Sequence, residues 1–443
     1  MLVTPEVIRT LQRKLYSKAK QEPAYRFYAL YDKVYRADIL SHAYKLVRAN
    51  KGSAGIDGIT FKDIEANEGL PAFIGELEEA LRTKTYKPDA VKRVMIPKSD
   101  GSERPLGIPT IRDRVAQMAT KLVIEPIFEA DFCETSYGFR PKKSAHDAVD
   151  NVTYAMNTGY IEVIDADLSK YFDSIPHSNL MATVAERICD SEILHIIQMW
   201  LKAPIMEQDK EGTKRNIGGG KRNCKGTPQG GVISPLLSNL YLHIFDRIWE
   251  RKKLTLRLGA RIVRYADDIV ILCRRKKSEK AMTTFRQILD RLELSLNETK
   301  TKIVNSHKEQ FDFLGFTIGM KESSNTGNVY PHVQPSKKSL KAIKDSVTAM
   351  TQSRMTVKPL IKVIAEVNAK VRGWVGYFYF KNCSKVLTQL RGHVEERLQT
   401  HLRRRHKIRN RGTAYTKFSK DLYGKYGLYK VPITAGWKKV NAL

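Results

Sequence analysis

The sequence predicts an α+β protein with a sheet-bearing middle and helical ends, on three observations. Apolar and polar residues alternate on either side of Ser-Asp-Gly-Ser in AVKRVMIPKSDGSERPLGIP, as in two strands around a glycine turn. Two aliphatic runs enclose a turn in RIVRYADDIVIL, Arg261 to Leu272. Towards both ends of the chain the apolar spacing is helical instead.

The elements follow in order. Residues 4 to 50 read as two basic helices joined near Pro23. KGSAGIDGITFKDIE is a glycine-rich loop leading to a helix at about Pro71–Thr83. After the hairpin, IRDRVAQMATKLVIEPIF is helical, and Ser144 with Asp147 suits a helix N-cap. YIEVIDADLSKYFDSI opens as a buried strand and ends in a turn, with helices next at about Ser178–Arg187 and Glu192–Ala203. Glycine-rich NIGGGKRNCKGTPQGG leads into a long helix ending near Arg251. It is not a nucleotide-binding P-loop, because Arg222 follows Gly220-Lys221 where Ser or Thr is required. Strands at Arg261–Arg264 and Ile269–Cys273, a helix near Ser278–Leu292, and strands at Thr301–Val304 and Phe311–Ile318 complete the middle. Polar KESSNTGNVYPHVQPS reads as a boundary, followed by helices to about Arg409 and a basic, aromatic tail.

The chain has 443 residues, 28% of them charged and 42% hydrophobic, which describes a folded protein with ordinary cores. No apolar run approaches the roughly 20 residues that span a bilayer. The N-terminus has no signal-peptide h-region, so a cytosolic protein that binds no membrane is expected. The five cysteines lie in no CxxC spacing, against a disulfide framework or a structural zinc site. A net charge of +30 repels itself unless a polyanion offsets it, and RNA or DNA is the favoured partner.

In that basic chain the acids stand out. Asp267 and Asp268 occupy a turn that Asn-Gly or Asp-Gly would make more cheaply, and VIDADLSKYFD puts Asp165 and Asp167 on one face of a strand. If that strand pairs beside the Asp267 hairpin, three carboxylates converge, and a cation must offset their repulsion. Mg²⁺ suits them, since it prefers oxygen ligands from a few carboxylates and substrate phosphates. Two such ions can clamp the attacking and leaving oxygens of an in-line displacement. Carboxylates with a basic surround and no evident Ser-His or Cys nucleophile point to nucleotidyl transfer.

The motifs, in this order, closely resemble the reverse transcriptase/maturase proteins of bacterial group II introns over nearly the whole chain. GSAGIDGIT and IPKSDGSERPLGIPTIRDRVAQ resemble the fingers blocks and SYGFRPKKSAHDAV the second block. DADLSKYFD resembles motif A, GTPQGGVISPLLSNLYL motif B, RYADDIVIL motif C and LSLNETKTKIV motif D. FDFLGFTI resembles the primer-gripping hairpin, and VNAKVRGWVGYFYF the thumb, or X, domain. The resemblance implies a right-hand polymerase fold. Its expected divisions are a basic helical extension over residues 1–60, fingers and palm over 61–320, a thumb/maturase domain over 321–412 and a basic aromatic tail over 413–443.

Roles follow from the resemblance. Asp167, Asp267 and Asp268 match the metal-binding carboxylates, for two Mg²⁺ ions with Mn²⁺ as a substitute, and Asp268 could instead serve position alone. Phe172 stands where reverse transcriptases place an aromatic ring under the incoming sugar, with a core phenylalanine beside Tyr171 as the lesser alternative. Lys98 and Arg104 match the cations on the triphosphate of the incoming dNTP, Arg offering bidentate contact. Gln229 matches a contact to the nascent base pair. Lys300 corresponds to a proton donor for the leaving pyrophosphate, and Tyr265 to a residue beneath the primer end. Trp374, Tyr377 and Phe378 read as thumb core. Arg403, Arg404, Arg405, Lys407, Arg409 and Arg411 are dense enough to meet RNA phosphates.

The implied partners are group II intron RNA, an RNA template with a DNA primer, target DNA and dNTPs, acting in the bacterial cytosol or at the nucleoid as monomer or homodimer. No His-Asn-His or paired-cysteine pattern follows the thumb, so no nicking of a target strand is expected. Two other readings stay open: a splicing maturase whose polymerase is dispensable, and a group II-like polymerase recruited to DNA repair, phage defence or CRISPR adaptation.

Overall fold

The computed structural model describes residues 2–66, 69–97, 101, 103–208, 212–228, 230–418 and 421–437. Among these residues no helix is long and apolar enough to cross a membrane. The chain divides into two compact units, each built from discontinuous segments.

The first unit comprises Met1–Ser144, Ala166–Ile269 and Glu279–Thr301. Its N-terminal helices, Glu6–Gln21 and Ala37–Ala49, bury Leu15 and Ala19 on the first and Ile39, Leu40, Ala43 and Val47 on the second, one face of each. They contact the helix Ile111–Glu129. That helix begins at Thr110, whose hydroxyl accepts from the Asp113 backbone N–H at 3.2 Å. A short helix, Tyr31–Val34, lies between the two basic helices.

The expected hairpin is present as the antiparallel strands Val91–Pro97 and Glu103–Ile108, with Ile96 opposite Arg104. It belongs to a larger sheet. Ile205–Gln208 pairs parallel to Val91–Pro97, and Lys214–Gly218 pairs antiparallel to Ile205–Gln208. The glycine-rich segment therefore starts as a strand. Its turn glycine, Gly219, sits at φ 73° with no room for a Cβ, which would lie 2.2 Å from the Ala203 carbonyl oxygen. The helix Ser234–Arg251 follows, with Pro235 in its first turn. It buries Leu236, Leu237, Leu240, Tyr241 and Phe245 and carries the buried polar residues Asn239 and Asp246.

In the second unit, Glu162–Asp165 pairs antiparallel with Lys302–Asn305. A meander of Phe311–Phe313, Phe316–Glu322 and Val329–Pro335 comes next. Its last strand is the segment that the sequence presents as a boundary. Pro331 and Pro335 disguise it, and both are tolerated because this is an edge strand. The helices Lys337–Met350, Leu360–Phe378 and Ser384–Arg405 then pack around one core. Val367, Val371 and Val375 recur every four residues on one helix and share this core with Leu387, Leu390, Val394 and Leu398 of another. Trp374 packs partly buried on this core with its ring 4.5 Å from that of Phe378, so it serves packing as expected.

Candidate active site

The site lies in the first unit. Ala260–Tyr265 and Asp268–Cys273 are hydrogen-bonded neighbours joined by a turn at Ala266 and Asp267. Ala266 takes a left-handed φ of 55°, which makes the turn tight enough to present two carboxylates in succession. Asp267 is half-buried and Asp268 exposed. Burial pushes the Asp267 carboxyl above its ordinary value and Asp167 pushes it the same way, while Arg104 and Arg264 pull it down. Asp167 and Asp267 thus stand within electrostatic reach of each other. Among the described residues no three His, Cys, Asp or Glu side chains form a preassembled metal-holding group.

Asp167 follows directly on the strand Glu162–Ala166 and is locked by its backbone. Its carbonyl accepts from the Asn297 N–H at 2.8 Å, Ser169 N–H donates to the Ser295 carbonyl at 2.9 Å, and Leu168 bridges Leu296. This pairing carries Lys300 to the site, where its Nζ lies 3.6 Å from Asp167 Oδ2. Both side chains are well exposed, so the pair contributes little to stability and can reorganise.

Arg104 is exposed on the hairpin and acts on both Asp267 and Asp173. Phe172 is buried at 9% exposure in the short helix Tyr171–Ser174, its ring 5.5 Å from Tyr171. Its carbonyl accepts from the Thr227 N–H at 2.7 Å, which ties motif A to the segment before the long helix. Lys98 and Gln229 lie outside the described residues.

Sequence reasoning missed the frame beneath the turn. Arg264 is wholly buried, pairs with Asp246, and donates from Nη1 to Asn239 Oδ1 at 3.0 Å and to the Ala266 carbonyl at 3.1 Å. Asn239 in turn donates to the Gly138 carbonyl at 2.6 Å. Gly138 lies so close to the turn that a Cβ would be 2.3 Å from the Ala266 nitrogen. The available signal was an arginine alternating with apolar residues in RIVRYADD, a pattern that places a charge on a core face and demands a partner.

The basic run is in the second unit. Arg404, Arg405, Lys407 and Arg409 are exposed and Arg403 half-buried. Arg405 also holds its own unit together, donating to the Thr356 and Lys358 carbonyls at 2.8 and 2.6 Å.

Residues 96–318 match the family model for reverse transcriptase (RNA-dependent DNA polymerase), and residues 340–419 match that for the group II intron maturase-specific domain. The chain is 33% identical to protein YkfC of Escherichia coli (strain K12), over 72% of this chain and 90% of that protein. It is 31% identical to the group II intron-encoded protein LtrA of Lactococcus lactis subsp. cremoris, over 64% of this chain and 44% of that protein. Similarity extends to nuclear intron maturase 1, mitochondrial, of Arabidopsis thaliana, at 27% identity over 32% of this chain and 26% of that protein.

Proposed function

Because the chain belongs to the group II intron reverse transcriptase/maturase family, with the right-hand polymerase fold, we propose that it copies RNA into DNA and binds intron RNA to assist splicing and mobility. The observation that carries the polymerase reading is the coupling of Asp167 and Asp267 between two cations, Lys300 and Arg104, in a chain of net charge +30. An all-oxygen donor set of this kind fits Mg²⁺. Asp167, Asp267 and Asp268 would hold it, and when bound it neutralises charge on the attacking and leaving oxygens.

The chain's own residues do the rest. Arg104 and Lys98 hold the triphosphate of the incoming dNTP, Arg104 by paired N–H donors and Lys98 as a point charge. Lys300, released from Asp167, gives a proton to the leaving pyrophosphate. Phe172 limits the space below the sugar and so favours deoxyribose, and Gln229 contacts the nascent pair. The exposed cations among Arg403, Arg404, Arg405, Lys407 and Arg409 meet RNA phosphates. Incorporation of dNTPs on an RNA template with Mg²⁺ tests the reading. Tight RNA binding without incorporation by the wild type would favour a splicing factor instead.

A further inference from the structure

One aromatic side chain beside the carboxylate turn is unused by the reaction. Phe139, in SYGFRP, has 53% of its surface exposed. Its φ is +55°, and it is the only aromatic among the described non-glycine residues with positive φ. That backbone is costly for a bulky side chain, and exposing the ring gains nothing from burial. The surroundings impose both. On one side Gly138 is pressed against the Ala266 and Tyr265 backbone and held by Asn239. On the other, the buried Arg140 guanidinium donates to the Cys133 and Ser136 carbonyls at 2.6 and 2.7 Å and pairs with Glu129. Tyr137 N–H donates to the Arg264 carbonyl at 2.8 Å. The loop is thus fixed to the strand that leads into the turn, and the Phe139 ring stands 6.4 Å from that of Tyr265. Lys142, also exposed, adds a cation three residues on.

An exposed aromatic ring kept at a backbone cost beside the half-buried Tyr265, with a cation nearby and two carboxylates two and three residues after Tyr265, has the composition of a nucleotide-stacking surface. We propose that Phe139 widens the seat beneath the primer end, which the resemblance already assigns to Tyr265, into a platform on which the 3′-terminal nucleotide of the primer strand rests, so that its hydroxyl is presented to Asp267 and Asp167. The inference rests on the polymerase reading. It assigns to SYGFRP a binding role distinct from the carboxylates, the dNTP cations and Phe172.

The test uses the full chain with a primer carrying 2-aminopurine at its 3′ end, annealed to an RNA template. Phe139→Asn keeps a residue that tolerates the left-handed backbone and removes the ring, and Phe139→Trp keeps a ring. The wild type changes the fluorescence of the terminal base on binding. Phe139→Asn loses that change, raises the KM for primer–template roughly tenfold, within the range of base–aromatic stacking, and lowers kcat as well, because the hydroxyl is no longer held towards the carboxylates. It melts no lower than the wild type, and Phe139→Trp restores the signal. Wild-type fluorescence and KM in Phe139→Asn overturn the proposal, as does a loss of stability that accounts for the loss of activity. If the wild type itself extends no primer, the polymerase reading fails and the inference falls with it. If the wild type extends and Phe139→Asn matches it, the inference alone fails.

Discussion

Arg264 and Asp246 form an ion pair 2.5 Å long in which neither side chain is exposed. The same guanidinium reaches the Ala266 carbonyl, inside the turn that carries Asp267. A buried pair of this kind is poor evidence for net stability, but breaking it leaves an uncompensated charge in the core. Asp246→Asn therefore lowers unfolding stability by about 3–5 kcal/mol, measured as a fall in the urea midpoint. Simultaneous apolar replacement of both partners costs less than either single change, a non-additivity that a double-mutant cycle reads directly.

Gly138 transmits that frame to the turn. In Gly138→Ala the added methyl meets the Ala266 nitrogen at 2.3 Å and the Tyr265 carbonyl carbon at 2.8 Å, both of them backbone. Relief requires the turn to move. The expected cost is about 1–3 kcal/mol of stability. Primer extension falls by more than the fraction unfolded explains, because the carboxylates shift with the turn. Activity that tracks the folded fraction alone would place Gly138 outside the site's support.

The raised pKa of Asp267 links stability to pH. Its folded value lies above its unfolded one, so the folded state binds the proton more tightly, and the ionised carboxylate opposes folding at neutral pH. Asp267→Asn removes that opposition. Without divalent cations the variant melts above the wild type at pH 7–8, and the gap closes as pH falls through the raised folded value towards the ordinary one of about 3.9. Mg²⁺ reverses the order, raising the melting temperature of the wild type and not of the variant. A variant that melts below the wild type at every pH would contradict this.

The arginines of the maturase-specific domain separate into two kinds. Arg404 is exposed, while Arg405 donates to two carbonyls of the preceding segment. Arg404→Ala weakens RNA binding for all sequences and lowers the salt slope of affinity by about one contact, with an unchanged melting temperature. Arg405→Ala lowers the melting temperature as well, because two carbonyls lose their donor.

These contrasts mark what could be read in the chain beforehand. The carboxylate turn, the hairpin at Val91–Ile108 and the helical periodicities after Lys337 are local patterns, and local patterns survive in a single sequence. The parallel pairing of Val91–Arg93 with Ile205–Glu207 joins segments more than a hundred residues apart, and nothing in either strand names its partner. Val329–Pro335 was hidden by its prolines, which only an edge position excuses. Arg264 was hidden by company: in a chain with 77 lysines and arginines, one more reads as surface charge until its strand is seen to be buried. Nothing in the sequence singles out Phe139, because a backbone held at positive φ leaves no sign there.

On the proposed function, Asp167, Asp267 and Asp268 serve nucleotidyl transfer on an RNA template. The most direct test is primer extension with dNTPs and Mg²⁺, comparing the wild type with the double variant Asp267→Ala/Asp268→Ala, at equal occupancy of the RNA. Full-length cDNA is expected from the wild type and none from the variant. Equal extension by both, or by neither despite tight RNA binding, would contradict it.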